Sequence, residues 1–200
     1  MTIQIKLVTL PQEREEIYSF RYSIYVEEME RVQLYADREN KRIYEPLDNN
    51  CSLFAAYENG EIVGTIRTNF SRDSDLDYYA DFYQMNIVGQ YHPNLTSITT
   101  KLMIAPKYRK GTLAVRLIST AYTNARKARI RYDFIDVDSH LVDFFTRLGY
   151  RFHKRGNHSE YGNVTIMIAD LEDINHFELI KSPIIKEYHA FIKSQQLLPV

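Results

Sequence analysis

The run LMIAPKYRKGTLA, residues 102–114, decides how the rest of the chain is read. Leu102, Met103 and Ile104 are apolar and stop at Ala105-Pro106, which reads as a strand leaving a sheet. Lys107, Arg109 and Lys110 follow, with Gly111 among them. From Thr112 and Leu113 onward, Ala114, Leu117, Ile118, Ala121, Ala125 and Ala128 recur at helical spacing. A helix over residues 112–129 is therefore expected. The first turn of such a helix leaves backbone N–H groups unpaired and carries partial positive charge, so a phosphate can sit there beside Arg109 and Lys110. The same pattern also makes an ordinary connection, and alone it settles no function.

Working outward, residues 97–104 extend the strand upstream, and residues 132–138 form the next strand, with acids at its end. A short helix over 141–148 stops at Gly149, a residue that readily takes the left-handed conformation. Residues 150–153 and 164–169 read as two closing strands around a Gly/Asn-rich loop. Toward the N-terminus, two strand-like runs flank Asn59-Gly60, a strong hairpin signal. Ile3 to Leu7 alternates with period two, and Pro11 opens a helix whose Ile17, Phe20, Ile24 and Tyr25 share a face. Residues 75–88 are aromatic-rich and expected to be helical. Pro183 begins a last helix, about residues 183–195, with Ser182 placed to cap it. Residues 31–50 are polar with weak periodicity and read as a loop or poorly ordered lid. The order implies one α/β (α+β) domain over residues 1–200, with a mixed sheet and helices on its faces.

Composition sets the bounds. The chain has 200 residues, is 44% hydrophobic and 26% charged, and carries a net charge of −1. It can bury a core, and it is not built overall to coat nucleic acid or an anionic membrane. One cysteine, Cys51, excludes an internal disulfide framework and a multi-cysteine zinc site, so no metal is expected. No stretch is long and apolar enough for a membrane span or signal peptide, and the expected compartment is the reducing cytoplasm. Sixteen tyrosines and no tryptophan suit a half-polar pocket, or simply line strands and helix flanks.

Residues 102–114 resemble the acyl-CoA-binding motif of the GNAT acyltransferase superfamily. The resemblance implies a GNAT fold: a mixed, mostly antiparallel central sheet with a splayed strand pair, flanked by helices. It also implies that Leu102, Met103 and Ile104 bind pantetheine, and that Arg109, Lys110, Gly111, Thr112, Leu113 and Ala114 hold phosphate. Two positions depart from the superfamily pattern. Thr112 stands where a glycine is usual, and Phe145 stands where a tyrosine often protonates the leaving thiolate. Both argue against an ordinary acetyl-CoA acetyltransferase.

Those departures suit the N-acyl amino acid synthases and the similar acyl-homoserine-lactone synthases, which often draw on acyl carrier protein. The resemblance covers roughly residues 14–185. It rests on residues 21–29, on Glu45-Pro46-Leu47-Asp48, on the Gly64-Thr65-Ile66-Arg67 strand and on residues 97–104 with Lys101 as the basic residue. Asp138-Ser139-His140-Leu141 and Gly162-Asn163-Val164 also fall in place. Ile98 stands where the lactone synthases carry a glutamate. The implied reaction is direct transfer of an acyl group from a phosphopantetheine thioester, borne by acyl carrier protein or coenzyme A, to an amino acid or similar small amine.

Several side chains are then candidates for chemistry. His140, at a strand's carboxyl end, is the first candidate base or relay, or else a helix-capping surface residue. Arg21, Glu28, Asp48 and Arg67 are expected to form a charged cluster, either shaping the acceptor pocket or only holding structure. Asp136 and Asp138 alternate onto one strand face. The basic run Lys107, Arg109, Lys110, Arg116, Arg126, Lys127 and Arg129 offers a docking face for an acidic carrier, or a solvated helix face. Two other readings stay open: an acetyl-CoA-dependent N-acetyltransferase acting on small amines or peptides, and a non-catalytic module binding an acyl ligand or carrier.

Overall fold

The computed structural model describes residues 2–196. Nine strands and six α-helices follow in chain order: β1 (Gln4–Leu7), α1 (Pro11–Tyr22), β2 (Ala36–Asp37), β3 (Arg42–Ile43), β4 (Ser52–Glu58), β5 (Glu61–Phe70), α2 (Tyr79–Phe82), β6 (Thr96–Ile104), α3 (Leu113–Lys127), β7 (Tyr132–Val137), α4 (Val142–Leu148), β8 (Arg151–His158), β9 (Gly162–Asp170), α5 (Ile174–Leu179) and α6 (Ile185–Gln196). Seven strands form one sheet in the order β1-β4-β5-β6-β7-β9-β8, and β2 and β3 make a small separate ribbon.

Alternation along the strands divides the core. Phe54, Ala56 and Ile66 point to one face, where they meet Leu117, Ile118 and Ala121 of α3, Phe145 and Leu148 of α4, and Phe177 of α5. Leu53 and Ala55 point to the other, against Ile17 and Tyr18 of α1. Farther along this second face, Ile98, Phe134 and Ile166 meet Tyr79, Tyr83 and Met85. Layers of helices therefore cover both sides of a twisted sheet.

Every neighbouring pair in the large sheet is antiparallel except β6 and β7. Those two run parallel and pair only at Thr96↔Tyr132, Ser97↔Asp133 and Ile98↔Phe134. Beyond Ile98, β6 has no registered partner on its β7 side, while β7 stays paired with β9 out to Val137↔Thr165. The sheet thus opens into a V. Its crotch is fastened by the buried Asp133, which accepts hydrogen bonds from Ser97 Oγ (2.5 Å), Thr99 Oγ1 (3.0 Å) and Tyr150 Oη (2.6 Å). On its other side β6 carries a bulge: the register against β5 shifts between Thr65↔Met103 and Arg67↔Thr100, and Lys101 takes φ 54°. A bulge breaks the ladder locally and redirects main-chain groups.

The structure corrects three local expectations. Residues 75–88 do not form one helix: α2 is short, Gln84 turns left-handed at φ 51°, and a 3-10 segment Met85–Tyr91 follows. Residues 31–50 are not a structureless loop, since they hold the β2–β3 ribbon, a 3-10 turn at Pro46–Asp48 and the buried residues Gln33, Ile43, Glu45, Leu47 and Asp48. The closing hairpin is longer than its apolar pattern suggests. The outer strand β8 is polar because it lies at the sheet edge.

Candidate active site

The site is built on the α1 face of the sheet, around the open end of the V. Arg21 stands in the last turn of α1, which passes into a wider π-helical turn, Ser23–Glu28, carrying Tyr25 beside Lys101 of β6. The 3-10 turn at Pro46–Asp48 supplies acids, with Asp48 Oδ2 accepting the Glu45 backbone N–H at 2.8 Å. β5 contributes Arg67 and the bulge contributes Lys101.

These side chains form a buried ionic chain. Arg21 Nη1 donates to Asp48 Oδ2 at 2.7 Å. Arg67 Nη1 donates to Asp48 Oδ1 at 3.1 Å and to Glu45 Oε2 at 2.8 Å. Lys101 Nζ lies 2.5 Å from Glu45 Oε1. Burial works to raise the Glu45 carboxyl, but Lys101 and Arg67 outweigh it and leave its pKa at about 2. The same opposition, with Arg21 and Arg67 against burial, puts Asp48 at about 2. Both acids are carboxylates at neutral pH. Three cations face two anions, and Arg21 Nε, Arg21 Nη2 and Arg67 Nη2 are buried with no hydrogen-bond partner. A buried donor without a partner is costly.

Aromatic groups line the other flank. Lys101 Nζ donates to Tyr161 Oη at 2.8 Å and sits over the Tyr25 ring. Tyr161 Oη donates to Gln33 Oε1 at 3.2 Å, and its ring stacks on His158 at 4.4 Å. His158 Nδ1 accepts the Glu160 backbone N–H at 3.1 Å, which puts the neutral ring's proton on Nε2. Burial lowers the His158 pKa and keeps the ring neutral. His158 Nε2 lies 2.7 Å from Tyr78 Oη and 3.2 Å from Tyr79 Oη. Tyr83 Oη donates to Asp136 on β7.

A strap crosses the mouth of the V. At one end Glu28 takes a bidentate pair from Arg109, in the turn after β6, at 2.5 and 2.8 Å. Arg31 then reaches Asp138, just past β7, at 3.2 Å, and the Leu34 backbone N–H donates to Glu160 at 2.6 Å.

Arg21, Asp48 and Arg67 thus lie together as one cluster, with Glu45 and Lys101 joining them. Glu28 lies apart, on the strap. His140 lies exposed in the 3-10 turn Ser139–Leu141, outside the cluster. Met103 and Ile104 are buried and Leu102 half-buried, all along the free flank of β6. Arg109 is engaged by Glu28 and by the Ile104 carbonyl. Lys110, Gly111 and Thr112 are exposed ahead of α3, Leu113 is buried in the α3-side core and Ala114 half-buried. Arg126 is not on an open basic face: it bonds the Ile130 carbonyl and Glu172. Sequence reasoning misses His158 and Tyr161. Their one signal is the positive-φ Gly162 (φ 69°) that turns the β8–β9 hairpin and carries two rings inward beside it.

No group of three or more His, Cys, Asp or Glu able to hold a metal occurs among the described residues. No helix among them is long and apolar enough to cross a membrane.

Comparison with known proteins agrees with the fold. The family model described as N-acyl amino acid synthase FeeM matches residues 16–170. The structure of FeeM, an N-acyl amino acid synthase from uncultured soil microbes, superposes with a TM-score of 0.70 at 12% identity, covering 90% of this chain and 97% of that one. BjaI, a CoA-dependent acyl-homoserine lactone synthase solved with SAM and isopentyl-CoA, gives 0.70 at 15% identity, covering 91% of each chain. A GNAT-family acetyltransferase from Staphylococcus aureus gives 0.59 at 19% identity, covering 86% of this chain and all of that one. No curated protein matches by sequence.

Proposed function

This chain belongs to the FeeM family of N-acyl amino acid synthases, an N-acyltransferase family, and we propose that it moves an acyl group from a phosphopantetheine thioester to the amine of an amino acid. The observation that carries this reading is the parting of β6 from β7 after Ile98↔Phe134, with the bulge at Lys101 on the freed strand. A pantetheine arm needs a run of unpaired main chain to lie along, and residues 102–104 on the free flank of β6 supply it. Backbone N–H groups near Met103 and the bulge would hold the carbonyl oxygen as it gains charge. The amine attacks directly. Cys51, the only cysteine, is raised in pKa by burial and makes a poor nucleophile.

The charge balance supports an acceptor that carries a carboxylate. Arg21, Arg67 and Lys101 exceed Glu45 and Asp48 by one positive charge, and three guanidinium nitrogens lack partners. An amino acid's carboxylate would answer both, with its amine toward the bulge.

The donor is an acyl group on carrier protein or on coenzyme A. The Glu28 carboxylate occupies the Arg109 fork that a pyrophosphate would use, which favours a carrier-borne arm with a single phosphate. Lys107, Lys110 and Arg116 remain exposed around that entrance for an acidic carrier.

The test is turnover of acyl-carrier and acyl-CoA donors with a panel of amino acids, read by free-thiol release and by mass spectrometry of the product. An N-acyl amino acid is the expected product. Failure to release thiol with any amine, or acylation only of acceptors without a carboxylate, would refute the reading.

A further inference from the structure

The departing thiolate needs a proton, and the α4 position that could have supplied one holds Phe145, a hydrocarbon buried in the α3-side core. The open end of the V holds several hydroxyls. Tyr161 Oη is saturated between Lys101 and Gln33. Tyr83 Oη is committed to Asp136, and Tyr79 is buried. Tyr78 differs: 40% of it is exposed, and its oxygen receives the His158 Nε2 proton at 2.7 Å. With that oxygen accepting, its own proton is left to donate elsewhere.

We propose that Tyr78 is the proton donor to the leaving thiolate, and that His158 is the positioning residue that holds it and stabilises the phenolate left behind. The inference rests on the acyltransfer reading above. In the step, the amine nitrogen bonds to the carbonyl carbon, the carbon–sulfur bond breaks, and the sulfur takes the Tyr78 proton. The phenolate is held by His158 Nε2–H and is restored by the proton the acylated amine gives up, so no co-reactant is consumed.

The surroundings favour this pair. The Tyr78 hydroxyl is raised by burial, but hydrogen bonds from Tyr79 and Ser159 work against the rise, so of the two adjoining tyrosines Tyr78 is the readier to ionise. His158, at the end of β8, feels charges on both parting strands. Burial, and then Lys101 on β6, disfavour its cationic form, while Asp136 on β7, Glu160 in the hairpin and Glu45 in the 3-10 turn favour it. Burial wins, and the backbone N–H on Nδ1 keeps the ring's single proton aimed at Tyr78.

The test compares two donors with the same acyl group: a pantetheine thioester, whose alkyl thiolate needs protonation, and an aryl thioester, whose thiolate leaves without it. Tyr78→Phe, with an unchanged melting temperature, is expected to lose about 100-fold in kcat/KM on the pantetheine donor and little on the aryl donor, in line with general-acid contributions. His158→Gln, which keeps an N–H for Tyr78, should retain more activity than His158→Ala on the pantetheine donor only. Equal losses on both donors, or none, would overturn the assignment. Absence of turnover by the unaltered chain on either donor would instead remove the acyltransfer reading itself.

Discussion

Asp48 and Arg21 meet at 2.7 Å with neither side chain exposed to solvent. The pair links the first helix to the acidic turn, and Asp48 passes the connection on to Arg67 on β5. One carboxylate therefore bridges two buried guanidinium groups. Asp48→Ala leaves both short of a counter-charge and is expected to cost about 3–5 kcal/mol, because removing one member of a buried pair strands the other. Chemical denaturation of the variant against the parent measures it.

Acid should weaken the same cluster. Glu45 and Asp48, each at about 2, sit below the usual carboxylate range of the unfolded chain. Their stabilisation is complete above the unfolded pKa and is lost as pH falls through the folded one. Stability should therefore decline between about pH 4.5 and 2. Urea midpoints across that window check it, and a flat profile there would contradict the cluster's charge state.

Asp133 should act with the opposite sign. Burial raises it to about 6, even though Ser97, Tyr150 and Thr99 donate hydrogen bonds that work to lower it. A carboxyl whose folded pKa is raised favours folding as pH falls from about 6 toward its unfolded value. Asp133→Asn, which cannot titrate, should flatten the stability profile between about pH 6 and 4 while leaving the lower acid limb in place.

Much of the fold was legible because the periodic patterns were undisturbed. The helix after Gly111 shows its buried stripe in Leu117, Ile118, Ala121 and Ala125. The hairpin at Asn59-Gly60 sits where its positive-φ turn requires. The site was only partly legible. Arg21, Asp48 and Arg67 are spaced across separate elements, and family resemblance joined them before geometry did. His158 was hidden because it ends β8, an edge strand whose polar alternation looks like a loop, and Tyr161 because it sits in the turn beyond that strand. The aromatic stretch over residues 75–88 suggested a helix because its rings are close in sequence. Each ring instead fills its own place, and the backbone at Asp77 and Gln84 turns left-handed to allow it.

The strap should be loosely held. Glu28–Arg109 and Arg31–Asp138 are partly solvent-exposed, and such pairs contribute about 0–1 kcal/mol each. Glu28→Ala with Arg31→Ala should leave the melting temperature nearly unchanged, yet raise amide hydrogen exchange across residues 28–35. Unaltered exchange would show that the strap is anchored by its backbone contacts instead.

Gly149 ends α4 at φ 116°, and a Cβ there would lie 2.2 Å from the Phe177 ring. Gly149→Ala combines backbone strain with overpacking and should cost about 2–4 kcal/mol, visible as a lowered melting temperature.

The depth of the V has a consequence for how such a chain can diversify. Three residue pairs hold the two half-sheets at one end, and each further pair would advance the closure by about 3.3 Å along the strands. Exchanging side chains at the rim alters what the cleft prefers but not how far in a guest reaches. Reach is fixed by how the main chains are aligned, so a relative accommodating a shorter or longer guest arm is expected to differ by an insertion or deletion near the crotch rather than by a point substitution.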